Sequence, residues 1–196
     1  MTKAEVLAEL KKYGDERTKS TLIKHGAKEP FFGVKAADLK KILKKTKKNH
    51  ALSLQLYDTN NTDAMYLAGL MADESQMTKA QLEDWVSKAY WYYLSEFTVP
   101  WVASETDFGF ELGMKWIESD DINIAAAGWA TMAWCTTVRE DEDIDIDLYK
   151  KLIKRVEDTI HDIPPNRVRY AMNTFVIYSG VYVKSLIEIA KKAGQK

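Results

Sequence analysis

The sequence predicts an all-α protein built from a series of packed helix pairs. Apolar residues recur at the helical spacing i, i+3, i+4 in most segments. Runs with the alternation of a β-strand are short or absent, and no Asn-Gly or Asp-Gly hairpin turn occurs. Segments that pass from an apolar helix through a polar break into a second helix recur at roughly forty residues, the period of HEAT-type repeats. The predicted architecture is therefore a HEAT-like helical-repeat solenoid, an α-α superhelix.

The first helices follow from apolar spacing. "AEVLAELKKY" places Val6, Leu7 and Leu10 on one face. "KAADLKKILKK" repeats the pattern with an apolar inner face and a lysine-covered outer face. The inner residues are Leu39, Ile42 and Leu43, and the outer residues are Lys40, Lys41, Lys44, Lys45, Lys47 and Lys48.

Capping residues mark later helices. Asn61 or Thr62 caps "DAMYLAGLMA", and Asp63 stands in its first turn, where the helix dipole favours a carboxylate. Thr78 begins "KAQLEDWVSKAYWYYL" in the same way, and Pro165 stands at or near the first position of "NRVRYAMNTFVIY". With "DFGFELGMKWIE", "INIAAAGWATMAWC", "LYKKLIKRVEDTIH" and "VKSLIEIAKKA", the expected number of helices is about eleven.

Length and composition indicate one soluble domain, residues 1–196. A chain of 196 residues with 46% hydrophobic and 29% charged residues is ordinary for a globular protein. The first residues lack the apolar core of a secretory signal, and no apolar run is long enough for a membrane helix. Cys135, the only cysteine, lies in the apolar run "GWATMAWCTTV" and is expected in the core. A reducing cytoplasm is the expected compartment.

The near-neutral net charge of −1 conceals a strong polarity. Residues 1–50 hold 14 Lys/Arg and 6 Asp/Glu, a net charge of +8, whereas residues 51–196 have a net charge of −9. This asymmetry is typical of a protein whose basic half binds an anionic partner. A solvated lysine-rich helix without a partner explains it equally well.

The sequence gives no support for a metal or a cofactor. His25, His50 and His161 lie far apart and outside any metal-binding pattern. No glycine-rich phosphate loop occurs, so neither a metal nor a nucleotide cofactor is expected.

The segment "PPNRVRYAMNTFVIY" carries a candidate anion site. Asn166, Arg167, Arg169 and Asn173 lie close to a predicted helix N-terminus, where charge-assisted hydrogen bonds and the helix dipole favour phosphate or carboxylate. In the alternative, the two arginines only pair with acidic neighbours such as Glu157 or Asp158.

Aromatic residues concentrate in the middle of the chain. Most are expected in the core, but exposed rings such as Trp91 or Trp101 would stack on nucleobases. "AYWYYLSE" has four aromatic residues in succession, so a helix cannot bury all of them and at least one is expected to be exposed or half-exposed.

Four segments, in this order, resemble the DNA alkylation repair family of AlkD-like HEAT-repeat proteins: "EPFFGVKAADLKKILKK", "EFTVPWVAS", "IESDDINIAAAGWA" and "NRVRYAMN". The resemblance covers nearly the whole chain and implies a right-handed stack of helix pairs whose basic concave face embraces duplex DNA. Active members of the family are glycosylases that excise cationic N3- and N7-alkylated purines. They use a tryptophan, an aspartate four residues later and an arginine one repeat further on.

This chain departs from the family pattern at all three of those positions. Alignment on "TV" places Glu96 at the family's tryptophan, Pro100 at its aspartate and Ala126 near its arginine. A proline neither stabilises a cation nor activates water, and Pro100 is expected to end or kink its helix. "SEFTVPWVAS" is accordingly interpreted as a structural corner.

The favoured function is therefore a divergent family member that binds duplex or structured DNA without the usual glycosylase residues. One alternative is an active alkylpurine DNA glycosylase, a hydrolase of N-glycosyl bonds, that uses Glu96 or Glu105 as a relocated carboxylate. Another is a protein-interaction scaffold. The expected DNA-binding residues are Lys35, Lys40, Lys44, Trp91, Trp101, Arg167, Arg169 and Asn173.

Overall fold

A computed structural model describes residues 1–164 and 166–195, and the predicted helix-opening Pro165 lies outside them. Over those residues the protein is all-α, with twelve α-helices and a few short 3-10 or π segments. The β-type pairing in the described ranges is an isolated antiparallel bridge between Gly14 and Val34. The chain divides into two compact units, Met1–Leu94 and Ser95–Lys196. That residues 1–196 act as a single domain stays a prediction.

The first unit contains six α-helices and a 3-10 turn at Glu74–Gln76. The helices are α1 (Lys3–Lys12), α2 (Glu16–Lys24), α3 (Ala36–Thr46), α4 (His50–Tyr57), α5 (Thr62–Met71) and α6 (Lys79–Lys88).

Apolar spacing explains the core of the first unit. Val6 and Leu10 of α1 are fully buried, as are Ile42 of α3 and Leu67 of α5. Both α1 and α3 pack against α5. The six predicted outward lysines of the α3 segment are all exposed. The predicted caps are also in place: Asn61 accepts from the backbone N–H of Ala64, and Thr78 forms a capping box with Gln81.

Asp63 does more than occupy the first turn of α5. Its buried carboxylate accepts hydrogen bonds from three consecutive backbone N–H groups, those of Phe32 (2.6 Å), Gly33 (3.0 Å) and Val34 (3.1 Å). Gly33 has φ +77°, and a Cβ there would lie 2.7 Å from the backbone nitrogen of Lys19. The "PFFGV" segment is therefore held in shape by one distant carboxylate.

The predicted helix "KAQLEDWVSKAYWYYL" is shorter than expected, because α6 ends at Lys88. Beyond it, the indole Nε1 of Trp91 donates to the carbonyl of His25 (2.7 Å), and the hydroxyl of Tyr90 donates to the carbonyl of Lys28 (2.9 Å). These contacts place the aromatic residues against another part of the unit and override helical propensity. The prediction that at least one of the four aromatic residues is half-exposed is confirmed, since Tyr90, Tyr92 and Tyr93 are partly exposed.

The second unit contains the remaining six α-helices and 3-10 turns at Asp141–Asp143 and Lys184–Leu186. The helices are α7 (Val99–Ser104), α8 (Gly109–Trp116), α9 (Ile122–Val138), α10 (Ile146–Thr159), α11 (Arg167–Tyr182) and α12 (Ile187–Ala193). A π-helical segment, Tyr93–Thr98, leads directly into α7.

Helix α9 is the centre of the second unit and packs against α7, α8 and α11. Its sequence is rich in alanine and apolar on all sides, as expected for a buried helix. A Cβ at Gly128 would lie 2.4 Å from the backbone nitrogen of Ile117 and 2.9 Å from the carbonyl of Gly113. Glycine at this position therefore permits the close approach of α9 to the end of α8. None of the described helices is long and apolar enough to cross a membrane.

Candidate nucleic-acid interface

The second unit contains a buried ion pair between Glu96 and Arg167. Nε and Nη2 of Arg167 each donate to one carboxylate oxygen of Glu96. The Glu96 side chain is only 4% exposed, whereas that of Arg167 is 36% exposed and lies over the ring of Tyr170, 4.3 Å from its centroid. Such a two-point contact fixes both side chains in one orientation.

A π-helical segment, Tyr93–Thr98, contains Glu96 and runs into α7 at the point where Pro100 predicts a helix break. Pro100, the second residue of α7, has no N–H to donate to the carbonyl of Glu96, its partner in a regular helix. Nε1 of Trp134 donates to that carbonyl instead, at 3.3 Å. Pro100 therefore neither ends the helix nor leaves a carbonyl unpaired, and the predicted corner is a π-turn that continues into α7.

Burial raises the pKa of Glu96 above its ordinary value of 4.5, and Arg167 offsets only part of that effect. The carboxylate is almost fully buried, although Glu96 lines the small cleft described below, and each of its oxygens accepts a hydrogen bond from the guanidinium. In this structure the contacts of the Glu96 carboxylate are therefore to Arg167.

Aromatic rings form a continuous ladder beside this pair. Each ring meets the next edge to face, an arrangement favoured by the ring quadrupole. The centroid distances are 5.8 Å for Phe97–Trp101, 5.9 Å for Trp101–Trp134, 5.6 Å for Trp134–Tyr178 and 5.4 Å for Tyr178–Tyr182.

Two clefts border α11. A larger cleft of about 610 Å³ is lined by Arg169, Tyr170 and Asn173 together with residues of α10 and α12. A smaller cleft of about 250 Å³ lies between α9 and α11, with Glu96 and Trp134 in its lining. The predicted residues Arg167, Arg169 and Asn173 are thereby brought together on one wall of the larger cleft.

In the first unit, the predicted lysines lie on the outer surface of α3. Lys40 and Lys44 are exposed and one helical turn apart. Lys35 occupies the N-cap position of the helix without a side-chain capping hydrogen bond, and its ammonium is 3.8 Å from Asp15.

The structure also shows where the remaining predicted site residues lie. Trp91 is 4% exposed, packs on Tyr93 and donates to a carbonyl, so its ring has no face for a base. Arg167 pairs with Glu96, a partner that the predicted alternative of Glu157 or Asp158 does not include. Glu105 is the exposed C-terminal cap of α7 and lines neither cleft.

Trp101 is half-buried within the aromatic ladder, so only part of its ring is exposed for contact with a base. Cys135 is in the core as predicted, and burial raises the pKa of its thiol to about 11. No group of His, Cys, Asp and Glu among residues 1–164 and 166–195 is arranged to hold a metal ion.

Sequence reasoning missed the α11 surface, where Tyr170 and Tyr182 are each about half exposed. Their spacing of twelve residues, about 3.3 turns, along a helix without acidic residues was the available signal. Asp63 was placed correctly, but its contact with a loop some thirty residues earlier has no sequence signature.

The paired helices and the α9-centred packing define a helical-repeat protein. The family described as DNA alkylation repair enzyme matches the chain over residues 6–181. A solved structure reported as "a new family of proteins related to the HEAT-like repeat DNA glycosylases with affinity for branched DNA structures" is 36% identical, with a TM-score of 0.94 over 100% of this chain and 83% of that one.

Two curated relatives are uncharacterized proteins from Listeria. Lin0241 of Listeria innocua is 31% identical over 181 residues, which is 87% of this chain and 77% of the relative. Lmo0209 of Listeria monocytogenes is 30% identical over 177 residues, 87% of this chain and 75% of the relative. The chain belongs to the DNA alkylation repair enzyme family, and its fold is the predicted all-α HEAT-like repeat.

Proposed function

We propose that the protein binds DNA, with a preference for branched structures, and does not excise alkylated bases. The observation that supports the absence of base excision is the burial of Glu96 and its pairing with Arg167. The family resemblance places the catalytic aspartate at Pro100, and the nearby carboxylate of Glu96 is buried and held at both oxygens by Arg167.

Cleavage of an N-glycosidic bond needs a carboxylate that faces the anomeric carbon, where positive charge develops in the transition state. In this structure the carboxylate of Glu96 contacts the guanidinium of Arg167, a group of the protein itself, and not a substrate. An uncompensated carboxylate would stabilise the sugar cation, but one already neutralised by Arg167 gives little further stabilisation.

The charge distribution supports DNA as the partner. Residues 1–50 have a net charge of +8, and Lys40 and Lys44 present adjacent ammonium groups to solvent. When lysines neutralise DNA phosphates, the counterions bound to those phosphates are released. This release supplies most of the affinity of basic surfaces for DNA. The structural neighbour is reported to have affinity for branched DNA, and this chain shares its fold over the full length. We place this function in the cytoplasm, which suits the single buried cysteine.

The test is fluorescence anisotropy on a labelled four-way junction and a linear duplex over a range of salt concentrations. We expect tighter binding to the junction. The double variant Lys40→Ala/Lys44→Ala is expected to reduce the slope of log K against log salt by about 2, since each phosphate contact contributes about 0.9.

The matched control is Lys150→Ala/Lys154→Ala on α10, which removes two exposed lysines at the same spacing among acidic neighbours. Equal losses in both variants would mean that α3 is not the binding surface.

One observation keeps the glycosylase alternative testable: Glu96 lines the small cleft. Release of alkylated purine that is abolished by Glu96→Gln would identify Glu96 as the relocated carboxylate and refute the proposed function.

A further inference from the structure

The surface of α11 is unusually apolar for a solvent-facing helix. Eight large hydrophobic side chains are exposed among the described residues, and four of them lie on this one helix. They are Tyr170 (54% exposed), Ile177 (51%), Val181 (68%) and Tyr182 (51%).

These four side chains lie on one side of the helix. At 100° per residue, positions 170, 174, 177, 178, 181 and 182 fall within about 140° of the helix circumference. We call this set (Tyr170, Thr174, Ile177, Tyr178, Val181 and Tyr182) the α11 face. From Tyr170 to Tyr182 it extends about 18 Å. Phosphates follow one another at about 3.4 Å along one DNA strand, so this length matches about five phosphates.

The α11 face continues into the aromatic ladder and the small cleft. Tyr178 and Tyr182 are the last two rings of the ladder that begins at Phe97. The cleft of about 250 Å³ has Ala130, Ala133 and Ala171 in its lining, so small side chains leave room between the rings of Trp134 and Tyr170.

The charge on α11 differs from that of the unit around it. Residues 95–196 hold 12 Lys/Arg and 17 Asp/Glu, a net charge of −5. Helix α11 has no acidic residue and carries Arg167 and Arg169 at its N-terminal end. Helices α7 and α9, which carry the adjoining rings Trp101 and Trp134, have no charged residue. None of these three helices therefore carries a carboxylate side chain, and the nearby carboxylate of Glu96 is paired with Arg167.

We propose that the α11 face binds unpaired nucleotides at the branch point of a branched DNA, and this rests on the proposed function. Bases stack on the exposed ring of Tyr182 and on the face of Tyr170 that Arg167 does not cover, and any base fits because every base has a π-face. Phosphates lie toward Arg169 and the exposed part of Arg167. The surface therefore discriminates DNA with a single-stranded segment from fully paired DNA.

A second copy of the chain fits the same face less well. A stable interface buries about 800 Å² per partner, and four half-exposed side chains on one helix supply roughly half of that area. The flanking arginines would also lie in a mostly apolar contact, whereas they complement a phosphate backbone.

The test compares three labelled probes by anisotropy: a dT oligonucleotide, a three-way junction with an unpaired dT arm, and a fully paired four-way junction. The variant is Tyr170→Leu/Tyr182→Leu, which keeps apolar area but removes the aromatic planes. Stacking is worth about 1–3 kcal/mol per base, or about 5- to 150-fold in affinity. We expect at least a fivefold loss on the two probes with unpaired bases and less than a twofold change on the fully paired junction.

The matched control is Ile122→Ala, which shortens a side chain of similar exposure (51%) at the start of α9. Circular dichroism and thermal unfolding of each variant show whether it is folded, and Tyr182→Leu alone serves if the double variant is not, because Tyr182 does not contact Arg167.

Three results overturn the inference. If the variant binds all probes as the wild type does, the face does not stack bases. If wild-type protein prefers no probe with unpaired bases but binds the paired junction, the inference fails and the proposed function stands. If the wild type dimerises in light scattering and the variant does not, a second copy covers the face. Absence of binding to any probe at low salt refutes the proposed function itself.

Discussion

Replacing Arg167 with alanine removes the cation that compensates the buried carboxylate of Glu96. Breaking a fully buried pair from one side costs about 3–5 kcal/mol, and a surface pair is worth about 0–1 kcal/mol. The Glu96–Arg167 pair lies between these limits, because Glu96 is 4% exposed and Arg167 is 36% exposed. We expect a loss of about 2 kcal/mol in the free energy of unfolding.

The loss of unfolding free energy in Arg167→Ala, called the deficit below, should depend on pH. Burial already raises the pKa of Glu96 above 4.5 in the folded protein, and loss of the guanidinium raises it further. A group with a raised folded pKa gives its full stability below the unfolded pKa and loses it as pH rises through the folded pKa. The deficit is therefore small near pH 4.5 and grows toward about pH 8.

Urea unfolding, followed by tryptophan fluorescence at both pH values, measures this effect. Glu96→Gln alone should cost about 1 kcal/mol, since the partly exposed Arg167 is still hydrated. The double variant Glu96→Gln/Arg167→Ala should cost about 1–2 kcal/mol less than the sum of the two and lose the pH dependence.

A surface pair provides the control for Arg167→Ala. Lys191→Ala, whose ion pair with Glu188 is 67% exposed at the lysine and 88% at the glutamate, should cost less than about 0.5 kcal/mol. A loss of stability in Arg167→Ala as small as that in Lys191→Ala, or one that is the same at both pH values, would refute the reasoning about the buried carboxylate.

Two further predictions test the packing that supports the fold. Asp63→Ala leaves three backbone N–H groups without their acceptor and should cost about 3 kcal/mol or more, with faster hydrogen exchange at Phe32, Gly33 and Val34; protection equal to wild type would contradict it. Gly128→Ala places a Cβ 2.4 Å from backbone and should cost about 3 kcal/mol in a melting experiment, whereas Gly194→Ala, whose Cβ would meet atoms no closer than 3.5 Å, should change stability by less than about 0.5 kcal/mol.

Apolar spacing and capping residues predicted most of the fold. The features that are confirmed are local or compositional. They are the inner face of α3, the capping residues Asn61 and Thr78, and the burial of Cys135. The family resemblance is also confirmed, by the match over residues 6–181.

The candidate site was predictable only in part, because its geometry depends on distant contacts. Glu96 and Arg167 are 71 positions apart, and no spacing rule predicts that they pair. The end of α6 at Lys88 depends on Trp91 reaching the carbonyl of His25, 66 positions away. Pro100 predicts a helix break, but the indole of Trp134, which comes from another helix, donates to the carbonyl that Pro100 leaves without its regular partner.

The central claim is that this member of the DNA alkylation repair family keeps DNA binding without base excision. The most direct test measures both properties on one preparation: anisotropy with branched and linear DNA at two salt concentrations, and release of N3- and N7-alkylated purines. The account predicts salt-dependent binding that is tighter for branched DNA, with no release of alkylated base above the uncatalysed rate. Enzymatic release of alkylated purines, or no binding to any DNA at low salt, would contradict it.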